Sequence, residues 1–136
     1  ARVDGSAVGT LFLQPRVVHE GVEKRLDDVL GLRFAVVMWG QHPRNHLSEQ
    51  DFKTWQRLGA IFVRVVPTAL QDQVDATEIG PDEITVADVT GVLRDWFDEQ
   101  EVAIAAVRPD RFVAGAARPA GFAAECGQIF RALQLT

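Results

Sequence analysis

The sequence has very little cysteine, and this scarcity excludes several kinds of chemistry. Cys126 is the only cysteine among 136 residues, so neither an intramolecular disulfide nor a multi-cysteine metal site can form. For the same reason the Cys-x-x-Cys motif of dithiol redox proteins is absent. Thiol–disulfide exchange of the dithiol type is therefore excluded.

Positive charge and long hydrophobic runs are also scarce. The net charge is −5 at pH 7, and no basic block is present to attract nucleic acid or an anionic membrane. The longest wholly apolar runs, such as residues 34–39, are far too short to span a bilayer. No signal segment opens the chain, so we expect a cytoplasmic protein without a nucleic-acid or membrane partner. The chain begins at Ala1 without an initiator Met, which is typical of a mature product or a cut fragment.

Motifs for nucleotide and metal binding are missing as well. No Gly-x-Gly-x-x-Gly follows any predicted strand, so the sequence contains no recognisable dinucleotide site. His42 and His46 are four residues apart, but Pro43 and an N-cap at Ser48 place them in a loop without a further ligand. A solvated or capping role is the more frequent one for such histidines. We therefore predict no metal and no cofactor in this chain.

The sequence does contain an alternation of β-prone and helical segments. We predict a single domain, residues 1–136, and residues 1–25 form its extended lead-in. The strands are predicted at 34–39, 60–66, around 84–86 and in both arms of 102–115, and the helices at 26–31, 48–59, 90–99 and 119–133. Crossovers between parallel strands are right-handed, so the first two strands are expected to be parallel. The strands at 34–39 and 60–66 and the two arms of 102–115 give the order of a thioredoxin-like α/β fold: a four-stranded mixed sheet with helices on both faces, lacking Cys-x-x-Cys.

A few residues could carry chemistry, but each has a simpler interpretation. The last predicted helix has an apolar stripe that extends from Phe122 to Leu133 and includes Cys126. We therefore expect this cysteine to be inert and packed in the core rather than a reactive thiol. Asp27 and Asp28 resemble a pair of catalytic carboxylates, yet such residues more often cap a short helical turn. The tryptophans are expected in the core, at positions 39, 55 and 96. No catalytic constellation is predicted.

The segment VAIAAVRPDRFVAG, residues 102–115, combines two apolar arms with a charged tip. The arms predict a β-hairpin, and Pro109 followed by Asp110 suits a four-residue turn. Arg108 and Arg111 bracket that turn. We expect edge arginines of this kind to be solvated, with anion binding or docking onto another surface as the alternative.

Three segments also carry a family resemblance: LFLQPRV at 11–17, LDDVLG at 26–31 and VRPDRFVAG at 107–115. Through them the chain resembles the C-terminal region of FAD-dependent aromatic hydroxylases, a family that includes 3-(3-hydroxyphenyl)propionate hydroxylase and, more distantly, phenol hydroxylase. The resemblance implies a thioredoxin-like C-terminal domain without redox cysteines. It also implies a parent enzyme that hydroxylates a phenolic ring with FAD, NAD(P)H and O2, using two larger domains that precede this one.

The resemblance implies that this chain is a non-catalytic structural or assembly domain without a cofactor of its own. Its partners would be the FAD and substrate domains of the parent and a second subunit in a homodimer, with Arg108 or Arg111 as the docking residue. The alternative is a free-standing thioredoxin-like protein with single-thiol, peroxidase or ligand-binding activity. The missing loop cysteine and the helical position of Cys126 argue against that alternative.

Overall fold

A seven-stranded mixed sheet forms the centre of the computed structural model, which describes residues 8–67 and 82–133. The strands are β1 (Arg16–His19), β2 (Val22–Arg25), β3 (Ala35–Trp39), β4 (Ile61–Pro67), β5 (Glu83–Asp88), β6 (Ile104–Val107) and β7 (Val113–Ala117). The helices are α1 (Leu26–Leu30), α2 (Glu49–Arg57), α3 (Val92–Gln100) and α4 (Phe122–Ala132), with 3-10 turns at Pro43–His46 and Pro119–Gly121.

The strands follow the order β2-β1-β5-β4-β3-β6-β7 across the sheet. The three central strands β3, β4 and β5 are parallel, and the strands on either side of them pair antiparallel. Both faces of the parallel strands are covered, which is why they appear in the sequence as continuous apolar runs. The predicted parallel pairing of the first two apolar strands is confirmed by Ala35 opposite Ile61.

Helices bury a hydrophobic layer on each face of the sheet. On one face α1 and α3 contribute Leu26, Leu30, Leu93 and Phe97, and on the other α2 and α4 contribute Phe52, Trp55, Phe122, Cys126, Ile129 and Phe130. The two ends of α2 follow from local chemistry. The Ser48 hydroxyl accepts a hydrogen bond from the Asp51 N–H at 3.1 Å, and Gly59 supplies the positive φ of 75° after α2. The predicted helix-covered α/β sheet is confirmed.

The sheet has seven strands, more than the four predicted for it, and part of the predicted lead-in belongs to it. Residues of the lead-in form an antiparallel hairpin, β1 and β2, which turns at Glu20 and Gly21, both with positive φ. β1 then adds to the sheet beside β5, with Val17 opposite Asp88. β2 is an outermost strand with little buried surface, so no apolar alternation marks it in the sequence.

The predicted short strand near residues 84–86 is present as β5, which lies between β4 and β1. All six of its residues are buried, so it is a central strand of the sheet. Residues 68–81, which connect β4 to β5, lie outside the described part of the chain.

Candidate docking surface

The predicted hairpin at residues 102–115 is confirmed, with β6 and β7 as its arms. At its tip the Arg111 N–H donates to the Arg108 carbonyl at 2.8 Å, and Asp110 Oδ1 accepts from the Phe112 N–H at 3.3 Å. These bonds close the turn that Pro109 and Asp110 predict. The two arginines at its edges, however, have different environments.

Arg111 is buried, with only 8% of its surface exposed, so the prediction that both arginines are solvated is wrong for this residue. Its Nε donates to Asp27 Oδ1 at 2.5 Å, and its two terminal nitrogens donate to the Gly31 and Arg33 carbonyls. The planar guanidinium fork suits several acceptors arranged around one end of a helix. Arg111 therefore joins the hairpin tip to α1.

The predicted capping role of Asp27 and Asp28 is also wrong. The residue before α1 is Arg25, and no side chain caps the helix. Asp27 instead binds Arg111, and Asp28 accepts from Arg25 Nε at 3.2 Å. Each carboxylate thus has its own arginine and the two do not act as a pair.

Arg108 is the accessible arginine of the tip. Its side chain is half exposed and pairs with Asp110 through Nη2 at 2.5 Å. Its guanidinium carbon also lies 5.8 Å from the centre of the Phe112 ring. A guanidinium has five N–H donors, so Arg108 has further donors for an acceptor on another surface.

A groove of about 360 Å³ opens beside Arg108 and will be called the hairpin groove. It is lined mainly by apolar side chains, from the residues Val8, Gly9, Phe34, Arg108, Val113, Ala114, Ile129, Ala132 and Leu133. The segment before β1 forms one wall, because the Gly9 N–H donates to the Val113 carbonyl at 2.9 Å and the Thr10 carbonyl accepts from Val113 at 2.8 Å. α4 forms another wall.

The end of the apolar stripe on α4 differs from the prediction. Phe122, Cys126, Ile129 and Phe130 are buried as expected, whereas Leu133 is 38% exposed. The reason is that α4 ends at Ala132, so Leu133 lies past the last turn of the helix. It contributes to the hairpin groove instead of the core.

Exposed apolar side chains concentrate at this end of the domain. The described residues include six exposed large hydrophobic side chains: Val8, Leu11, Val22, Leu32, Val92 and Leu133. Val8 and Leu133 line the hairpin groove, Leu11 bridges to Phe112 at the tip, and Leu32 stands between the two carbonyls that Arg111 binds. Leu32 is 90% exposed. The sequence analysis did not identify this surface. Leu32 could have indicated it, because a leucine between Gly31 and Arg33 lies outside any predicted helix or strand and has no core to pack in.

Cys126 is buried and packs in the core, as predicted. The Trp55 Nε1–H donates to its sulfur at 3.4 Å, and burial raises the pKa of the thiol to about 12. A thiol protonated at neutral pH and closed off from solvent is a poor nucleophile. The geometry gives no support to single-thiol chemistry.

Two of the histidines lie at a turn of the chain. His42 precedes the 3-10 turn Pro43–His46, and His46 Nε2 lies 2.5 Å from Gln41 Oε1. Within residues 8–67 and 82–133, no three His, Cys, Asp or Glu side chains are grouped so that they could hold a metal ion. Trp96 packs edge-on against Phe12 at 5.0 Å, and Trp39 packs on the same hydrophobic layer.

Within residues 8–67 and 82–133, no helix is long and apolar enough to cross a membrane.

The sheet order and helix placement define a thioredoxin-like domain. The thioredoxin domain of a thiol-disulfide oxidoreductase from Bacteroides vulgatus matches with a TM-score of 0.55 at 11% identity, over 93% of this chain and 96% of that one. The flavin-dependent monooxygenase PieE, solved with FAD and substrate, matches with a TM-score of 0.59 at 17% identity, over 95% of this chain and 20% of PieE. At these identities the likeness shows the fold alone, and it confirms the predicted fold class.

Residues 9–132 match the family model described as HcaD C-terminal domain, and the chain belongs to that family. A 3-(3-hydroxy-phenyl)propionate/3-hydroxycinnamic acid hydroxylase of Paraburkholderia xenovorans (strain LB400) is 46% identical to it over 115 residues. That alignment covers 84% of this chain and 18% of the hydroxylase, so the chain spans about a fifth of the length of the relative. The family predicted from the sequence motifs is confirmed.

Proposed function

We propose that this chain is the non-catalytic C-terminal domain of an FAD-dependent aromatic-ring monooxygenase. One observation carries the proposal. The chain is 46% identical to a hydroxylase, and the aligned region makes up only 18% of that hydroxylase. The chain matches a model for a C-terminal domain over nearly its whole length. Its own residues support a structural role, because its one thiol is buried and its sequence has no dinucleotide fingerprint.

The parent would hydroxylate a phenolic substrate such as 3-(3-hydroxyphenyl)propionate, a proposal that follows the activity for which the Paraburkholderia relative is named. FAD, reduced by NAD(P)H, would supply the oxygen chemistry in the domains that precede this one. The present domain would pack against those FAD and substrate domains and against a second subunit of a cytoplasmic homodimer. Arg108 is the better docking residue of the two predicted, since the Arg111 guanidinium is already bound to Asp27 and two carbonyls.

The test is to express the complete reading frame that contains this chain and to compare it with the 136-residue chain alone. The complete protein should be yellow and should oxidise NAD(P)H faster when 3-(3-hydroxyphenyl)propionate is present, with a hydroxylated product. The chain alone should be colourless and inactive, because it lacks phosphate-binding glycines at a strand–helix turn. A complete protein without flavin, or a short reading frame that encodes only this domain, would contradict the proposal.

A further inference from the structure

We infer that the hairpin groove is the surface through which this domain packs on the preceding part of its own parent chain. The inference rests on the proposed function and adds to it the location of the contact. An open, mostly apolar groove of about 360 Å³ lies at one end of the sheet, and Arg108 stands at its edge. Three lines of observation on the described residues support this assignment.

The first is the distribution of apolar surface. Four of the six exposed large hydrophobic side chains among the described residues belong to this end of the domain: Val8, Leu11, Leu32 and Leu133. Single exposed hydrophobic residues are ordinary, but a group around a groove is typical of an interaction surface. The opposite edge of the sheet ends in β2, where Val22 is the exposed apolar residue.

The second is the path of the chain. Val8 and Gly9 line the groove, and the Gly9 N–H is fixed to the Val113 carbonyl at 2.9 Å. In a parent that carries this domain at its C-terminus, the preceding polypeptide therefore enters the domain at the groove. The aligned region is only 18% of the Paraburkholderia relative, so most of such a parent precedes this point. The preceding part of the parent chain is therefore the part of the protein that is tethered nearest to the groove.

The third is the rigidity and polarity of the rim. The hairpin tip is fixed to α1 by the bonds of Arg111 to Asp27 and to the Gly31 carbonyl. A surface held in place before contact loses little conformational entropy on docking. Arg108 keeps donors for an acceptor, so the occupant should be an apolar segment with a carboxylate or backbone carbonyl at its edge.

The experiment places a photo-cross-linking amino acid with a benzophenone side chain in the complete protein, at Leu133 or at Val8. Both residues line the groove and are partly exposed, so substitution there leaves the core intact. The matched control carries the same amino acid at Val22, which is 55% exposed on the outermost strand at the other edge of the sheet. After irradiation, the mass on a denaturing gel and peptide mass spectrometry identify what each position contacts.

The expected result is a cross-link within one chain, from Leu133 or Val8 to a peptide that precedes Ala1, and none from Val22. Cross-links between two chains would instead make the groove a contact between subunits and would overturn the inference. Equal cross-linking from Val22, or none from either groove position, would also overturn it. Flavin content and NAD(P)H oxidation are measured on the same samples. A flavin-bearing, active protein without the groove cross-link refutes the inference alone, whereas a protein without flavin refutes the proposed function.

Discussion

Arg111 binds Asp27 across 84 residues of sequence, and this ion pair joins the tip of the β6–β7 hairpin to the short helix α1. The same guanidinium donates to the Gly31 and Arg33 carbonyls, so one side chain supports the end of α1 and the segment that leads into β3. The pair explains why a charged residue at a turn is buried. It also explains how two segments that resemble the hydroxylase family, LDDVLG and VRPDRFVAG, come into contact.

Replacing Arg111 should therefore destabilise the domain, and replacing Arg108 should not. Arg111→Ser leaves the Gly31 and Arg33 carbonyls and the Asp27 carboxylate without their donor, which should lower the free energy of unfolding by about 1–3 kcal/mol. Arg108→Ser is the matched control, because it removes an exposed pair that contributes about 0–1 kcal/mol. Urea denaturation of the 136-residue chain measures both. Equal effects of the two substitutions would show that the Arg111 contacts contribute no more than an exposed pair.

The buried thiol gives a second prediction. In the folded chain Cys126 should react with maleimide or iodoacetamide only at the rate of unfolding, since its sulfur is enclosed by the core and bonded to Trp55. Cys126→Ala should lower the free energy of unfolding by roughly 1 kcal/mol through a small cavity. Labelling with and without urea, followed by mass spectrometry, measures the reactivity. Rapid labelling without urea would mean that the thiol is accessible and would bring single-thiol chemistry back into consideration.

The raised pKa of Cys126 also predicts a loss of stability at alkaline pH. Burial raises the pKa of this thiol from 9.0 to about 12. Between these values the unfolded chain releases the proton while the folded chain keeps it, so the free energy of unfolding falls as pH rises, by at most about 1.4 kcal/mol per pH unit. The chain contains no tyrosine, so no phenol ionises in this range. Urea titrations from pH 8 to 11 should show a steeper decline for the native sequence than for Cys126→Ala, and parallel declines would refute the assignment.

Residue patterns that repeat along the chain allowed much of the fold to be predicted. β3 and β4 are apolar runs long enough to indicate buried strands, and Ser48 with Gly59 marks both ends of α2. β2 could not be found in this way, because an edge strand that buries little has no hydrophobic period.

The candidate site was less predictable than the fold, for a physical reason. The Arg111–Asp27 pair depends on which loops the sheet order brings together, and nothing local to either residue indicates a partner 84 positions away. The hairpin groove likewise forms from four separate segments, around Val8, Phe34, Ala114 and Leu133. Arg108 and Arg111 were both singled out from the sequence, because the turn that carries them has its own local signature, but their different surroundings were not.

Gly115 provides a test of how closely α4 packs on β7. A Cβ atom at this position would lie 2.8 Å from Ile129 Cδ1 and 3.0 Å from Glu125 Oε2, and that carboxylate accepts from the Ala116 N–H at 3.2 Å. Gly115→Val should force both side chains aside and lower the free energy of unfolding by about 1–3 kcal/mol. Ala116→Val is the control, because Ala116 borders an open groove with room for a larger side chain. Thermal unfolding of both variants measures the difference, and a Gly115→Val variant as stable as the control would mean that the ends of the Ile129 and Glu125 side chains move aside at little cost.

The docking role of Arg108 predicts a substitution that matters only in the complete enzyme. In the 136-residue chain Arg108→Ser should leave the melting temperature nearly unchanged, since the side chain is half exposed and its partner Asp110 is in the same turn. In the complete flavoprotein the same change removes a donor from the proposed contact between this domain and the preceding part of its chain, so it should lower the melting temperature. Arg108→Lys is the informative companion: a lysine retains the charge but not the planar fork, and should restore the lost stability only in part. If Arg108→Ser behaves like the native sequence in both contexts, Arg108 is a solvated turn residue and the interface is held by apolar contacts alone.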